Sequence, residues 1–391
     1  MSKQKTIIHF SQDFTKGKPQ LGGYSRIYNL CSDTNNHIIY TISTKIDEIE
    51  EYAIDAIRVV QIPVQTRPSG VLNQFKLYKP IAQDICKHIE EHNIIPDLFF
   101  GHSHQGNFLI LQYVRNTLFA PCKILWEANG IGGCPKIKAP FKAYLANRVQ
   151  YQLQKYVFKK ADTIVAQTQQ SKQFIAQEFN IKEGKIEVVP NAIVVTENES
   201  LTRVQGDKPK VLCFGLFDEL NGIPFLINAI KKHSFNDIEF VFAGFGKYTE
   251  DVKNLASSAK NVTYLGQLPY KDMMRVLPTH EFLIIPRLNT LGAKLYIPTK
   301  LLEGMYLGVV PICSDVEGMT CVVSDAENGL VFEKGNTFEL SSILKSISTI
   351  ENSKYQNLQR KAYKSVVETY NWKANFIKLS LIYDRNCNDT V

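Results

Sequence analysis

Phe282-Leu283-Ile284-Ile285-Pro286, followed by Pro298-Thr299-Lys300-Leu301-Leu302-Glu303-Gly304-Met305-Tyr306-Leu307-Gly308-Val309-Val310-Pro311, decides the fold. The first run is apolar throughout and reads as a buried strand. Pro298 suits the first position of a helix, where its missing N–H costs nothing. Gly308 stops that helix, and Val309-Val310-Pro311-Ile312 begins the next strand. Lys300 and Glu303 lie three apart, on one face of the first turns. The helix N-terminus then carries a cation and a carboxylate just after a strand. Free N–H groups and the helix dipole bind phosphate, and a carboxylate can accept from both hydroxyls of a ribose. The same spacing also suits an ordinary crossover helix with a solvated Lys/Glu pair.

Outward from this unit the alternation continues. Lys210–Gly215, Ile238–Gly244, Val262–Leu265, Val309–Ser314 and Leu330–Phe332 read as strands, with helices at Pro224–His233 and Thr249–Ser258. Before them, Val194–Asp207 is polar and without period, a linker. The first half shows the same rhythm. Its strands are Thr6–Phe10, His37–Ser43, Leu98–Gly101, Lys123–Glu127 and Thr163–Gln167, and Ile186–Pro190 closes the half. Its helices include Gln74–His92 and Gln169–Phe179. Two consecutive βα series imply an α/β protein with two doubly wound parallel sheets and ligands held beyond the carboxyl ends of the strands, in a cleft between domains. The boundaries expected are 1–195 for the first domain and 196–369 for the second. Residues 370–391 form a final helix around Trp372 that returns to the first domain.

The 391 residues are too many for one ordinary core, and 44% hydrophobic content is that of a soluble globular protein. No run is long enough to span a bilayer, and the N-terminus lacks the apolar region of a secretion signal. The eight cysteines are scattered without a CxxC pair, so a reducing cytoplasm fits and no metal site is suggested. The net charge of +7 is uneven. Lys136, Lys138, Lys142, Arg148, Lys155, Lys159 and Lys160 crowd one window free of acidic residues. Phe141, Leu145, Val149, Leu153 and Tyr156 recur there at helical spacing. Such a helix rests on anionic lipid at the inner membrane face, or packs its stripe inward with the lysines in water. No nucleic-acid motif is present.

Several strand ends carry candidate chemistry. Gly22-Gly23 follows the first strand after a loop with Lys16 and Lys18, and lets backbone N–H groups approach an anion. His102 and His104 follow Leu98–Gly101, where a site belongs, and suit acid–base work or substrate hydrogen bonds. This HxH pair has no third metal ligand nearby. Glu127 and Asn129 end another strand; a carboxylate directly after Ile-Leu-Trp needs a purpose. Gly244, Gly246 and Lys247 end a strand of the second half, where glycine lets a base or phosphate come close. For each of these the plain turn or cap remains an alternative.

The order of these features resembles the retaining nucleotide-sugar glycosyltransferases of family 4, with the GT-B fold of two Rossmann-like domains. Gly22-Gly23 matches the family's Gly-rich first loop. Ala161–Thr168 and Ile186–Ala192 resemble the end of its first domain. Val241–Gly246 resembles the "VGxGP" strand end, Val262–Gly266 a "V-x-F-x-G" element, and Pro298–Pro311 the "PxKxxEyMaxGxPV" donor site. The resemblance covers most of the chain and implies a reaction. A nucleotide sugar, as substrate and without cofactor or metal, binds mainly the second domain. Glu303 holds the ribose, while Gly22-Gly23 and nearby cations meet the diphosphate. An acceptor hydroxyl of a lipid-linked or surface glycan attacks with retention, beside His102, His104, Glu127 and Asn129. A uridine nucleotide is the family's default.

The chain departs from the pattern where the family has "GRLxxxKG". Leu216 and Asn221 stand at the cationic positions, and Asp218 and Glu219 add negative charge. Only Glu303 of the usual pair of glutamates is kept, with Leu295 at the other place, and Cys321 stands where a Glu is common. Arg287, Lys294 and Lys300 are the candidates to replace the missing charge. An active transferase is favoured over a non-catalytic GT-B subunit that binds a glycan or partner enzyme.

Overall fold

The computed structural model describes residues 4–12, 14, 22–66, 70–132, 141–196, 208–233 and 235–388. Two compact units divide the chain, one of Met1–Val189 with Phe376–Val391, the other of Pro190–Asn375.

In the first unit the strands are β1 (Thr6–Phe10), β2 (Asn36–Ser43), β3 (Glu50–Ile54), β4 (Ile57–Pro63), β5 (Leu98–Gly101), β6 (Lys123–Glu127), β7 (Thr163–Ala166) and β8 (Ile186–Val188). They form one sheet in the order β3-β4-β2-β1-β5-β6-β7-β8. Strand order reverses between β1 and β5, which makes the carboxyl ends of these two strands the crevice of the unit. The central strands are buried on both faces because helices cover both. The β3–β4 pair is antiparallel and turns at Asp55, whose φ is +52°. The sequence series names neither strand; β3, an edge strand with mostly exposed side chains, carries little apolar signal, whereas β4 is largely buried.

The second unit has β9 (Lys210–Leu216), β10 (Glu239–Phe245), β11 (Val262–Tyr264), β12 (Phe282–Ile285), β13 (Val310–Ser314) and β14 (Leu330–Phe332), in the order β11-β10-β9-β12-β13-β14 and parallel throughout. Its switch point lies between β9 and β12. Val211, Cys213, Phe240 and Ile284 fill the core on one face of the sheet. Leu212, Leu283 and Ile285 pack on the other against Leu301, Leu302 and Met305 of the helix Thr299–Tyr306. That helix lies tight on the sheet because Gly304 has no side chain: a Cβ there would sit 2.6 Å from Leu283 Cδ2.

Some boundaries differ from the expected ones. Pro298 is extended (φ −72°, ψ 132°) and precedes the helix, so Thr299 is its first residue. Gly308 (φ +74°) closes it with Val309 N–H donating to Gly304 O at 2.8 Å and Gly308 N–H to Met305 O at 3.2 Å, a Schellman end. The final helix spans Trp372–Asn388, begins within the second unit, and joins the first from Phe376 on.

The basic helix spans Phe141–Lys160, and its expected apolar stripe is split. Leu153, Val157 and Phe158 are buried, while Leu145 is 52% and Val149 41% exposed. Arg148 is exposed on the same half of the helix, the Lys142 side chain is not described, and Lys136 and Lys138 lie outside the described residues, as do Lys16 and Lys18. Among the described residues no helix is long and apolar enough to cross a membrane.

Candidate functional site

At the switch point of the second unit two cations and a carboxylate gather at strand ends. Lys300 reaches back from its helix, and its ammonium donates to Phe214 O at 3.0 Å and lies 3.5 Å from Asn221 Oδ1. Gly215 lies beside it, a Cβ there standing at an ordinary contact distance of 3.6 Å from Nζ, and its φ of +112° favours glycine. Burial lowers Lys300 to about 8, with Arg287 adding to the effect against Asp218 and Glu303. Arg287, just past β12, donates from Nη1 to Tyr296 O at 3.3 Å. Its buried Nε has no partner among the described residues, and burial lowers the group to about 10. Neither cation forms a salt bridge among the described residues, so both are poised for an anion.

Glu303 stands one helical turn from Lys300 and accepts from Tyr270 Oη at 3.2 Å. Burial raises its carboxyl to about 7, against the opposing pull of Tyr270 and Lys300. A carboxylate with spare acceptor capacity beside two half-buried cations has the make-up of a site for a hydroxylated anion.

The other expected donor residues are placed differently. Lys294 is 3.6 Å from Glu317, and Lys247 is 2.7 Å from Glu219. Gly244 and Gly246 are required by packing, since a Cβ would lie 2.0 Å from Gly215 O and 2.5 Å from Phe217 O respectively. Asn221, at a family cation position, is fixed by Asp218, whose Oδ1 accepts from its backbone and side-chain nitrogens at 2.8 Å.

In the first unit Gly22 and Gly23 open the helix Gly22–Leu30. Arg26 on that helix turns inward, pairs with Glu127 and donates from Nη2 to Val189 O at 2.8 Å. Glu127 is 1% exposed and also accepts from His102 Nδ1 at 2.7 Å. Burial would raise its carboxyl, but Arg26 and His102 hold it at about 2. His102 is fully buried with both ring nitrogens engaged, the second by His9 at 2.9 Å. Asn107 braces it, donating to His102 O at 2.6 Å. Ser103 beside it has φ +65°, unusual for a residue with a side chain. The ring of His102 therefore acts from behind the surface, whereas His104 is exposed at the start of the helix Gln105–Leu118. Asn129 accepts from Gln167 Nε2 at 3.4 Å.

Sequence reasoning brought Glu127 and His102 together but assigned no site role to Arg26, His9, His37 or Tyr270. A polar residue within an apolar strand was the available signal for His9 and His37.

Two family models match the chain, "Glycosyltransferase Family 4" over residues 34–197 and "Glycosyl transferases group 1" over residues 195–365. An uncharacterized glycosyltransferase of Methanocaldococcus jannaschii is 24% identical over 91% of this chain and 92% of its own length. Sucrose-phosphate synthase of Thermosynechococcus elongatus shares the fold with a TM-score of 0.74 at 16% identity, covering 98% of this chain and 99% of that one. The HepE protein of Anabaena, solved in complex with UDP, does so with a TM-score of 0.70 at 13% identity, over 98% and 100%.

Proposed function

This chain is a family 4 glycosyltransferase of the GT-B fold, and on that premise we propose that it moves a sugar from a nucleotide sugar, with a uridine base, to a glycan hydroxyl with retention and without a metal. The observation that carries the donor reading is the trio Lys300, Arg287 and Glu303. Two half-buried cations without a salt-bridge partner among the described residues take the diphosphate, in place of the cations missing at Leu216 and Asn221. Glu303 takes the ribose hydroxyls. The UDP held by the Anabaena neighbour supports a uridine donor.

The acceptor is a lipid-linked or surface glycan. Support comes from the helix Phe141–Lys160, which exposes Leu145, Val149 and Tyr156 at helical spacing beside Arg148, Lys155 and Lys159. An exposed apolar stripe flanked by cations suits an anionic membrane surface on the cytoplasmic side.

Calorimetric titration of UDP, GDP, ADP and CMP against the wild type and Glu303→Ala tests the donor site. One nucleotide should bind the wild type and lose at least about 1.4 kcal/mol, tenfold, in the variant. Absence of binding by all four to the folded protein would leave a glycan- or partner-binding subunit in its place.

A further inference from the structure

Five buried side chains of the first unit form one unbroken line. Glu127 Oε2 meets His102 Nδ1 at 2.7 Å, and His102 Nε2 meets His9 Nδ1 at 2.9 Å. His9 Nε2 meets His37 Nδ1 at 2.8 Å, and His37 Nε2 meets Asp33 Oδ1 at 2.7 Å. The three histidines are at most 1% exposed. Strand register explains the alignment: Ile7 pairs with His37, His9 with Phe100 and Gly101 with Trp126. His37, His9, His102 and Glu127 therefore share one face of the sheet. The line runs diagonally from the amino end of β2, past the switch point, to the carboxyl end of β6.

The protons on this line can be counted. Each of the four contacts has hydrogen-bond length and needs one proton, because two lone pairs facing each other at that distance repel. Three neutral imidazoles bring three protons. The carboxylates bring none. Arg26 and His102 overcome burial to keep Glu127 ionised, and His37 and Asn35 overcome burial to hold Asp33 below the ordinary carboxylate range. One proton is missing from the count.

We propose that His102, His9 and His37 hold a single excess proton in common, which passes between the His102 end and the His37 end through His9. With the proton at His37, Nδ1–H of His37 donates to His9 Nε2. His9 Nδ1–H then donates to His102 Nε2, and His102 Nδ1–H to Glu127. With the proton at His102, the two bonds between imidazoles reverse: His102 Nε2–H donates to His9 Nδ1 and His9 Nε2–H to His37 Nδ1, while His102 Nδ1–H still donates to Glu127 and His37 Nε2–H to Asp33. Each nitrogen that loses a proton is matched by the facing nitrogen that gains it, and no heavy-atom bond changes. Charge balances too, since Arg26 and one imidazolium offset Glu127 and Asp33.

The surroundings suit a relay. Burial, with His37 and His102 on either side, pushes His9 well down, so it serves as the neutral link. Cys31 Sγ lies 3.6 Å from His9 Nε2, and burial keeps its thiol protonated. The phenol of Tyr383, within electrostatic range of Asp33, Cys31 and Glu127, is likewise raised by burial and stays neutral. Asp33, His37 and His9 are thus positioning residues that set the charge of His102 beside Glu127, where this fold class puts its chemistry. The inference stands apart from the donor site and survives if that reading fails.

Nitrogen-15 NMR of histidine-labelled protein near pH 7 counts the ring protons. Four protected ring N–H groups are expected on the three buried rings of the wild type. Asp33→Asn should leave three, because the Asn amide donates to His37 Nε2 and all three rings become neutral without moving. Three ring protons in the wild type overturn the proposal. So does a stoichiometric metal in the purified protein bound by His9, Cys31 and His37, whose ligand atoms lie within 4.8 Å of one another. If Asp33→Asn does not fold, the wild-type count decides alone.

Discussion

Donor binding should weaken about fivefold when the pH falls from 8 to 6, and the structure says why. Glu303 is raised to about 7 by burial. Its ionised fraction drops from about nine-tenths to about one-tenth over that interval, a tenfold loss of the form that accepts from both ribose hydroxyls. Lys300, lowered to about 8, is half protonated at the start and nearly fully protonated at the end, which returns about twofold. The net loss is about fivefold, ~1 kcal/mol. Glu303→Gln removes the first effect and keeps the second, so its weaker binding should improve about twofold over the same interval. The assay is calorimetry with whichever of UDP-glucose, ADP-glucose and GDP-mannose binds, since the diphosphate of a nucleotide sugar keeps its charge across this range. Equal slopes for the wild type and Glu303→Gln would refute the assignment of Glu303 to the donor.

The same carboxyl affects stability. Because its folded value lies above the unfolded one, its contribution is present below about pH 4.5 and is lost as the pH rises through about 7. Glu303→Gln should therefore melt together with the wild type at pH 4 and be about 1–2 kcal/mol more stable at pH 8, a figure reduced for partial exposure; calorimetric melting at the two pH values checks this. Glu127→Gln leaves the Arg26 guanidinium buried without its carboxylate, and urea unfolding of the first unit should show a loss of about 3–5 kcal/mol. Gly304→Ala drives a methyl against Leu283, so the helix Thr299–Tyr306 must lift from β12, costing about 1–3 kcal/mol in urea unfolding.

The series of parallel strands was readable because fully buried strands are continuous apolar runs, and Phe282–Ile285 and Lys123–Glu127 stand out as such. The edge strand β3 was not, because edge strands are selected for polarity as much as for pairing; β4, an interior and largely buried strand, carried an apolar signal that the series passed over. Lys300 and Glu303 were visible through their spacing on one helix. Arg287 was picked only for its nearness in sequence, and the burial of its Nε follows from β12 ending at the switch point. Tyr270 comes from a separate helix, Tyr270–Val276, and only the tertiary fold brings it to Glu303. The histidine line was hidden for a related reason. Its members come from β1, β2, β6 and the strand-end loops, so their alignment is a matter of register, which the order of residues alone does not give.

The last helix has a consequence for synthesis. Its buried Tyr383, the Asp384 partner of Lys5 and the Asn386 partner of Thr163 all belong to the first unit. A chain leaving the ribosome therefore exposes most of that unit long before the segment from Phe376 on has been made. The first unit, although begun first, cannot complete its core until the whole of residues 190–375 has been synthesised, so its folding is not finished in the usual order of emergence.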